Sequence, residues 1–189
     1  MAQMTKLALA QSLRQLMQER TLDKITVKEV VERCGVNRQT FYYHFRDMYD
    51  LLDWMFAYDG EEFEKKYPGI HIDDDGQNTM RALCESLQET AKITLNIYHS
   101  LGYERLGRYL HKRYFKLLSE NLMMKGQKYG TSHEDCILLA NFYTHAFVGI
   151  TMDWVQEGLS GDVEGIVAKF HPILCGTLDL ALMKMAKEC

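Results

Sequence analysis

The chain has 189 residues, 47% of them hydrophobic and 25% charged, which is the makeup of an ordinary globular protein with length for one or two domains. No run approaches the roughly 18 consecutive apolar residues of a membrane span, and the early Leu7-Ala8-Leu9-Ala10 is interrupted at once by Gln11, Ser12 and Arg14, which argues against a signal peptide. The net charge of −4 excludes a generally basic nucleic-acid binder, but residues 1–50 hold 8 Lys and Arg against 6 Asp and Glu, so a weakly positive N-terminal part precedes an acidic remainder. Five cysteines stand at 34, 84, 136, 175 and 189. Their odd number and the lack of a C-x-x-C pair predict reduced, mostly buried thiols in a cytoplasmic protein. Only 2 prolines occur, Pro68 and Pro172, and Leu, Met, Ala, Glu and Lys abound, which predicts an all-α protein.

Thr5 to Arg20 reads as a first helix, with Leu7, Leu9, Ala10, Leu13, Leu16 and Met17 on its apolar face. Thr21 to Lys24 link it to a sharper signal. Thr26 followed by Glu29 is a capping box, in which each residue satisfies a free amide of the other. Ile25 and Val30 flank it as a hydrophobic staple. Val27, Val30, Val31 and Cys34 then recur at helical spacing as one apolar stripe. Gly35 ends this helix, where a left-handed residue is expected. Val36 fills the corner, and Asn37 can cap the next helix.

In that next helix Phe41 and Phe45 are one turn apart and predict an anchor on the helix before it. Arg38, Gln39, Tyr42, Tyr43 and Arg46 fall largely on the other side, with no acid among them. A helix-turn-helix reader needs this arrangement, a short helix held by its apolar face with donors reaching base edges in the major groove. Arg38 suits the two acceptors of guanine and Gln39 the donor and acceptor of adenine. Thr40 can touch a thymine methyl, and the hydroxyls of Tyr42 and Tyr43 suit phosphate oxygens. Lys28, in the first turn of the preceding helix, can reach a phosphate or simply be solvated.

Thr26, Gly35, Val36, Thr40, Phe41, Tyr42, His44 and Phe45, with Leu51 and Leu52 beyond them, resemble the N-terminal domain of the TetR family of transcriptional regulators. The resemblance covers roughly the first third of the chain. It implies that the first helix packs across the two reading helices, and it adds Thr26 and His44 to the expected DNA-binding set. The chain departs from the family pattern at Met48, where members often carry a Lys that meets the DNA backbone. One phosphate contact is therefore in doubt, and Arg46 is the residue placed to compensate.

Asp47 can cap a fourth helix that runs to about Tyr67, and Pro68-Gly69 ends it. Asp73-Asp74-Asp75-Gly76 lacks the alternating ligands and the closing Glu of a calcium loop, so it reads as a solvated loop. Residues 78–99 form a long amphipathic stretch, and Leu101-Gly102 turns the chain. Residues 103–124 read as helix again, with a break near Leu110-His111 left open. Arg105, Arg108, Lys112, Arg113 and Lys116 along it read as a solvated face rather than a second nucleic-acid surface. Residues 125–131 read as a loop. Ser132 can cap a helix to about Glu157 that is apolar on several sides and so must be covered on several sides. A last helix, 162–187, is expected to kink or break at Pro172.

The resemblance implies that the two C-terminal helices pair with their twins in a homodimer, with Phe147, Trp154, Phe170, Leu174, Leu178 and Leu182 as interface candidates. A dimer also supplies two reading heads for the half-sites of a palindromic double-stranded operator. It implies further a small-molecule or protein effector acting on the C-terminal body, with Tyr98, His99, Tyr143, His145 and Phe147 as candidate lining groups. Phe142, Tyr143, Gly149, Trp154 and Gly158 resemble the TetR subgroup that contains dihydroxyacetone kinase regulators, whose members can act with a partner protein.

No zincin, di-iron, nucleophile-elbow or phosphate-loop motif is present, and the seven histidines show no ligand spacing. No enzymatic activity, cofactor, metal or membrane partner is therefore expected. The expected organisation is a three-helix helix-turn-helix domain at 1–47, a connecting helix and loop at 48–72, and a helical-bundle sensing and dimerisation domain at 73–189. The alternative is a partner-dependent co-activator with weak DNA binding of its own.

Overall fold

The computed structural model describes residues 2–67 and 77–186. Every regular element among them is a helix: α1 (Ala2–Met17), α2 (Val27–Cys34), α3 (Arg38–His44), α4 (Met48–Lys66), α5 (Gln77–Glu89), α6 (Ala91–Tyr129), α7 (His133–Gln156), α8 (Val163–Leu174) and α9 (Thr177–Met185), with a 3-10 turn at Leu22–Lys24. The fold class is all-α, as expected. Pro68-Gly69, the acidic stretch 73–76 and Cys189 lie outside the described residues.

The chain forms two compact units, 1–66 with 90–106, and 67–89 with 107–189. In the first unit α1 packs against α2, α3 and α4. Leu9, Leu13, Met17, Phe41, Leu51, Leu52 and Met55 are buried almost completely and form its core. An ion pair from Arg14 to Asp59 adds to the α1–α4 contact. The expected division made 48–72 a connector, whereas α4 belongs to this unit by its buried Leu51, Leu52 and Met55. The first half of α6 belongs here as well. Asn96 Nδ2 donates to the Met17 carbonyl at 2.6 Å, and the Leu22 amide donates to Ser100 Oγ at 2.7 Å. The Arg105 guanidinium lies 4.2 Å from the Tyr49 ring centre and 3.8 Å from Asp53. Arg105, expected on a solvated face, is thus paired within the first unit.

In the second unit α5 packs on α8, and α9 packs on α7 and α8. Arg81 donates two hydrogen bonds to Glu164, at 2.6 and 3.0 Å, joining α5 to α8. Leu110, Leu122, Met152 and Leu182 have no more than 1% exposure and mark its core. Burial raises the Tyr114 hydroxyl to about 12, and that hydroxyl keeps one partner, Thr151 Oγ1 at 3.1 Å. Burial likewise raises the Cys84 thiol to about 11, which leaves it an inert core residue.

Helix boundaries in this region differ from expectation. The stretch 78–99 divides at Thr90, whose carbonyl accepts the Thr94 amide at 2.9 Å and so opens the next helix. Gly102, with φ 71° and ψ −174°, interrupts α6 where the turn was expected, while Leu110-His111 continues as helix. The expected loop 125–131 is helical as far as Tyr129, because Gly126 supports close helix packing rather than a turn. A Cβ on Gly126 would collide with Cys136 Sγ. Gly126→Ala is therefore expected to cost about 1–3 kcal/mol by overpacking, more than its helix propensity returns. Cys136→Ala in the same chain should recover most of that loss, which urea unfolding of the single and double variants measures as a coupling energy. Additive losses would contradict this account of Gly126.

The last helix breaks at Cys175–Gly176 and not at Pro172, which sits inside α8. Gly176 has φ 71°, a conformation glycine reaches cheaply, and it re-aims the chain into α9. The stretch Val163–Met185 is, by length and composition, apolar enough to cross a membrane, its most apolar 18-residue window having a mean hydropathy of 1.4. It is two helices of 12 and 9 residues, each short of the roughly 20 that a span requires.

Candidate nucleic-acid interface

The local chemistry of residues 25–50 fixes the placement of α3. The capping box forms: Thr26 Oγ1 accepts the Glu29 amide at 3.4 Å, and Glu29 Oε2 accepts the Thr26 amide at 2.9 Å. The Thr26 amide, and then its hydroxyl donating to the same Oε2 at 2.8 Å, hold the Glu29 carboxyl below its usual range, and Arg20 adds to the effect at 2.6 Å. Because the folded value is depressed, this support is present above the unfolded carboxylate value and is lost as pH falls through the folded one. Gly35 takes φ 72° and closes α2. Asn37 Oδ1 accepts the Thr40 amide at 2.8 Å and opens α3. Asp47 Oδ1 accepts the Tyr49 and Asp50 amides at 2.8 and 2.9 Å and opens α4.

Between these caps α3 is pinned by its aromatic face. Phe41 has 0% exposure and Phe45 3%, with ring centres 5.9 Å apart. Phe45 and Trp54 in turn lie 5.5 and 5.9 Å from the Lys6 ammonium, which fixes the start of α1 beside them. The opposite face of α3 is turned outward. Arg38, Gln39, Tyr42 and Tyr43 are all exposed, Tyr43 to 82%. Among the described residues none of these four side chains makes a hydrogen bond, so their polar ends are available to an outside partner. His44 is half-buried, with its ring 4.9 Å from that of Tyr43. The Thr40 hydroxyl is committed to Asn37 Oδ1 at 3.0 Å, which leaves its methyl as the part that can meet a base. The Thr26 hydroxyl is likewise committed to its cap. Lys28 is exposed and pairs loosely with Glu32 at 3.7 Å. Arg46 is exposed to 88% with Asp50 at 3.6 Å, and Met48 is half-buried.

The expected lining groups of the body divide between the two units. Tyr98 and His99 belong to the first unit and are in ring contact with each other, whereas Tyr143, His145 and Phe147 belong to the second. Tyr143 reaches Thr177 Oγ1 at 3.5 Å, and His145 is exposed beside His111. Phe147 lines a cavity, with Thr79, Met80, Leu83, Tyr114, Leu117, Leu118, Leu174 and Leu178, around a void of about 30 Å³. Leu174 and Leu178, expected in a dimer interface, line this cavity, and Thr79, Met80 and Leu83 of α5 and Tyr114, Leu117 and Leu118 of α6 join them without having been expected there. Their helical periodicity marks them as inward-facing and says nothing of a void. Of the other interface candidates, Trp154 and Leu182 are buried within the chain, and Phe170 is half-buried. The apolar side chains left uncovered on α7, α8 and α9 are Leu138, Phe142, Ile173, Leu180 and Met183.

Comparison with known proteins agrees with this anatomy. The family model for bacterial regulatory proteins of the tetR family matches residues 11–55, and that for a transcriptional regulator C-terminal region matches residues 74–176. The HTH-type dhaKLM operon transcriptional activator DhaS of Lactococcus lactis subsp. lactis (strain IL1403) is 33% identical over 58 residues, 31% of this chain and 31% of that protein. The chain thus matches about a third of that relative's length. A solved structure of the dihydroxyacetone kinase operon activator DhaS has a TM-score of 0.70 at 20% identity, covering 93% of this chain and 97% of that one. The structure of RolR in complex with resorcinol has a TM-score of 0.53 at 20% identity, covering 100% and 95% of the two chains. At that identity both likenesses speak for the fold alone. With one model on the capped helix pair and another on more than half of the chain beyond it, the chain belongs to the TetR family of transcriptional regulators.

Proposed function

We propose that the chain works as a cytoplasmic homodimer in which α3 of each protomer reads one half of a palindromic operator. The carrying observation is the acid-free outer face of α3, whose Arg38, Gln39, Tyr42 and Tyr43 make no hydrogen bond or ion pair among the described residues while Phe41 holds the helix from behind. In this reading Arg38 takes guanine, Gln39 adenine and the Thr40 methyl a thymine. Tyr42, Tyr43, His44, Lys28 and the capped start of α2 at Thr26 meet phosphates. The Lys28–Glu32 pair is exposed and weak, so Lys28 exchanges it for a phosphate at little cost.

Arg38→Ala is expected to weaken binding to the preferred site by about 10- to 100-fold and to relax selection at one base pair of each half-site. Competition binding against single-base operator variants measures this, and an equal loss on every sequence would sink Arg38 as a base reader. Binding of the unaltered protein should also fall steeply with salt, since phosphate contacts release counterions. Met48, an apolar residue where the family often has a basic one, favours the second reading, a co-activator that reaches full affinity only with a partner.

For the dimer, the uncovered apolar side chains of α7, α8 and α9 supply a self-complementary surface. For the effector, the apolar cavity offers an entry to α6 through Tyr114, Leu117 and Leu118. The first half of the same helix is hydrogen-bonded to α1 and to the turn after it. An occupant that favours one position of α6 would thereby bias the spacing of the two heads. The void is far smaller than the ~300 Å³ of ordinary ligand sites, so a small-molecule effector must displace side chains such as Met80 or Phe147 to enter. The relatives named DhaS are described as activators, which favours activation as the sign of regulation here.

A further inference from the structure

His111 and His145 are far apart in sequence and belong to no metal-ligand motif, yet the fold brings their rings into contact. His111 projects from α6 and His145 from α7, both within the second unit. Their ring centres are 4.9 Å apart with 55° between the planes. His111 is half-buried and stacked on Phe115, with ring centres 6.1 Å apart and 10° between planes, so its orientation is set by its surroundings. His145 is exposed, which leaves the pair open to an ion from solvent.

Imidazole nitrogens bind zinc at about 2.0–2.1 Å, so two rings sharing one ion at a tetrahedral or square angle hold their centres roughly 4.5–5.2 Å apart. The observed separation falls inside that window. We infer that His111 and His145 form a two-imidazole site for a borderline divalent transition cation such as Zn²⁺ or Ni²⁺. Imidazole suits these ions and is a poor ligand for Mg²⁺ or Ca²⁺. Among the described residues no group of three or more His, Cys, Asp and Glu side chains converges, so water completes the coordination. Such a site is open and exchangeable, unlike a closed structural zinc site. An ion held there cross-links α6 to α7, the helix that follows it in the chain, and resists any sliding between them.

The test is calorimetric titration of the chelator-treated, untagged full chain with NiCl₂ and with ZnCl₂. One ion per chain is expected, and saturation should raise the melting temperature by a few degrees. His145→Ala removes an exposed ligand and His111→Phe keeps the stack on Phe115. Each should weaken binding at least 10-fold and abolish the thermal shift, with the ion-free melting temperature as the check on folding. With Cu²⁺ as a spectroscopic probe, electron paramagnetic resonance should show two bound nitrogens in the unaltered chain and one in either variant. Binding that survives in both variants belongs to other histidines and overturns the assignment. So does the absence of binding at millimolar ion, or a signal from one nitrogen in the unaltered chain.

Discussion

Phe41→Ala is expected to destabilise the first unit by about 3–5 kcal/mol, the cost of emptying a fully buried aromatic site. Phe41 has 0% exposure, and its ring touches Tyr42 and Phe45 with centres 5.4 and 5.9 Å away. A seven-residue helix cannot hold itself in water, so α3 depends on packing for its place, and Phe41 is the residue within it that is fully buried. A loss of this size is a large share of the stability of any domain. Hydrogen exchange read by mass spectrometry should show α2 and α3 amides losing most of their protection, while α7 amides around Met152 keep theirs. Operator binding should disappear although no residue of the reading face has changed. Unaltered protection in α3 would mean that something other than Phe41 positions it.

The second large effect is expected at Phe142→Asp. Phe142 is 66% exposed and Leu138, one turn before it, is 59% exposed, so a change there should move the stability of the single chain by less than about 0.5 kcal/mol. In a two-fold dimer the same change acts twice, placing two carboxylates in an apolar contact, where each unpaired charge costs several kcal/mol. Sedimentation should find a folded monomer at concentrations where the unaltered chain is dimeric. Operator affinity should fall by at least 100-fold, because one head on one half-site loses the linked second contact. Leu182→Asp is the informative contrast. Leu182 has 0% exposure, so that variant should unfold the body rather than split a dimer. A Phe142→Asp protein that still sediments as a dimer would place the interface elsewhere.

Residues 25–50 were legible because their signals are local. A cap, a staple, a left-handed glycine and two Phe one turn apart act within a few residues of one another, and Thr26, Gly35, Asn37, Asp47 and Phe41 all sit as their chemistry requires. The body was less legible because its decisive features depend on which helices meet. Gly126 looks like a loop residue until Cys136 is set against it. Pro172 draws attention as a breaker, although Gly176 makes the turn. Apolar periodicity marks Leu178 and Leu182 as covered but cannot say whether their own chain or a twin covers them, and their own chain does. The pairing of His111 with His145 carries no sequence signal, since it arises only when α6 and α7 pack.

In the proposed function this chain reads DNA directly, as a pair of α3 helices. The most direct measurement is selection of bound duplexes from a random pool by the purified chain at low salt, with no effector or partner added. The expected result is enrichment of a palindrome whose half-sites are one helical turn of DNA apart or more, with a guanine or adenine favoured where Arg38 and Gln39 dock. No enrichment at low salt would contradict it, and would leave the exposed face of α3 as a surface that reads DNA only in the company of a partner.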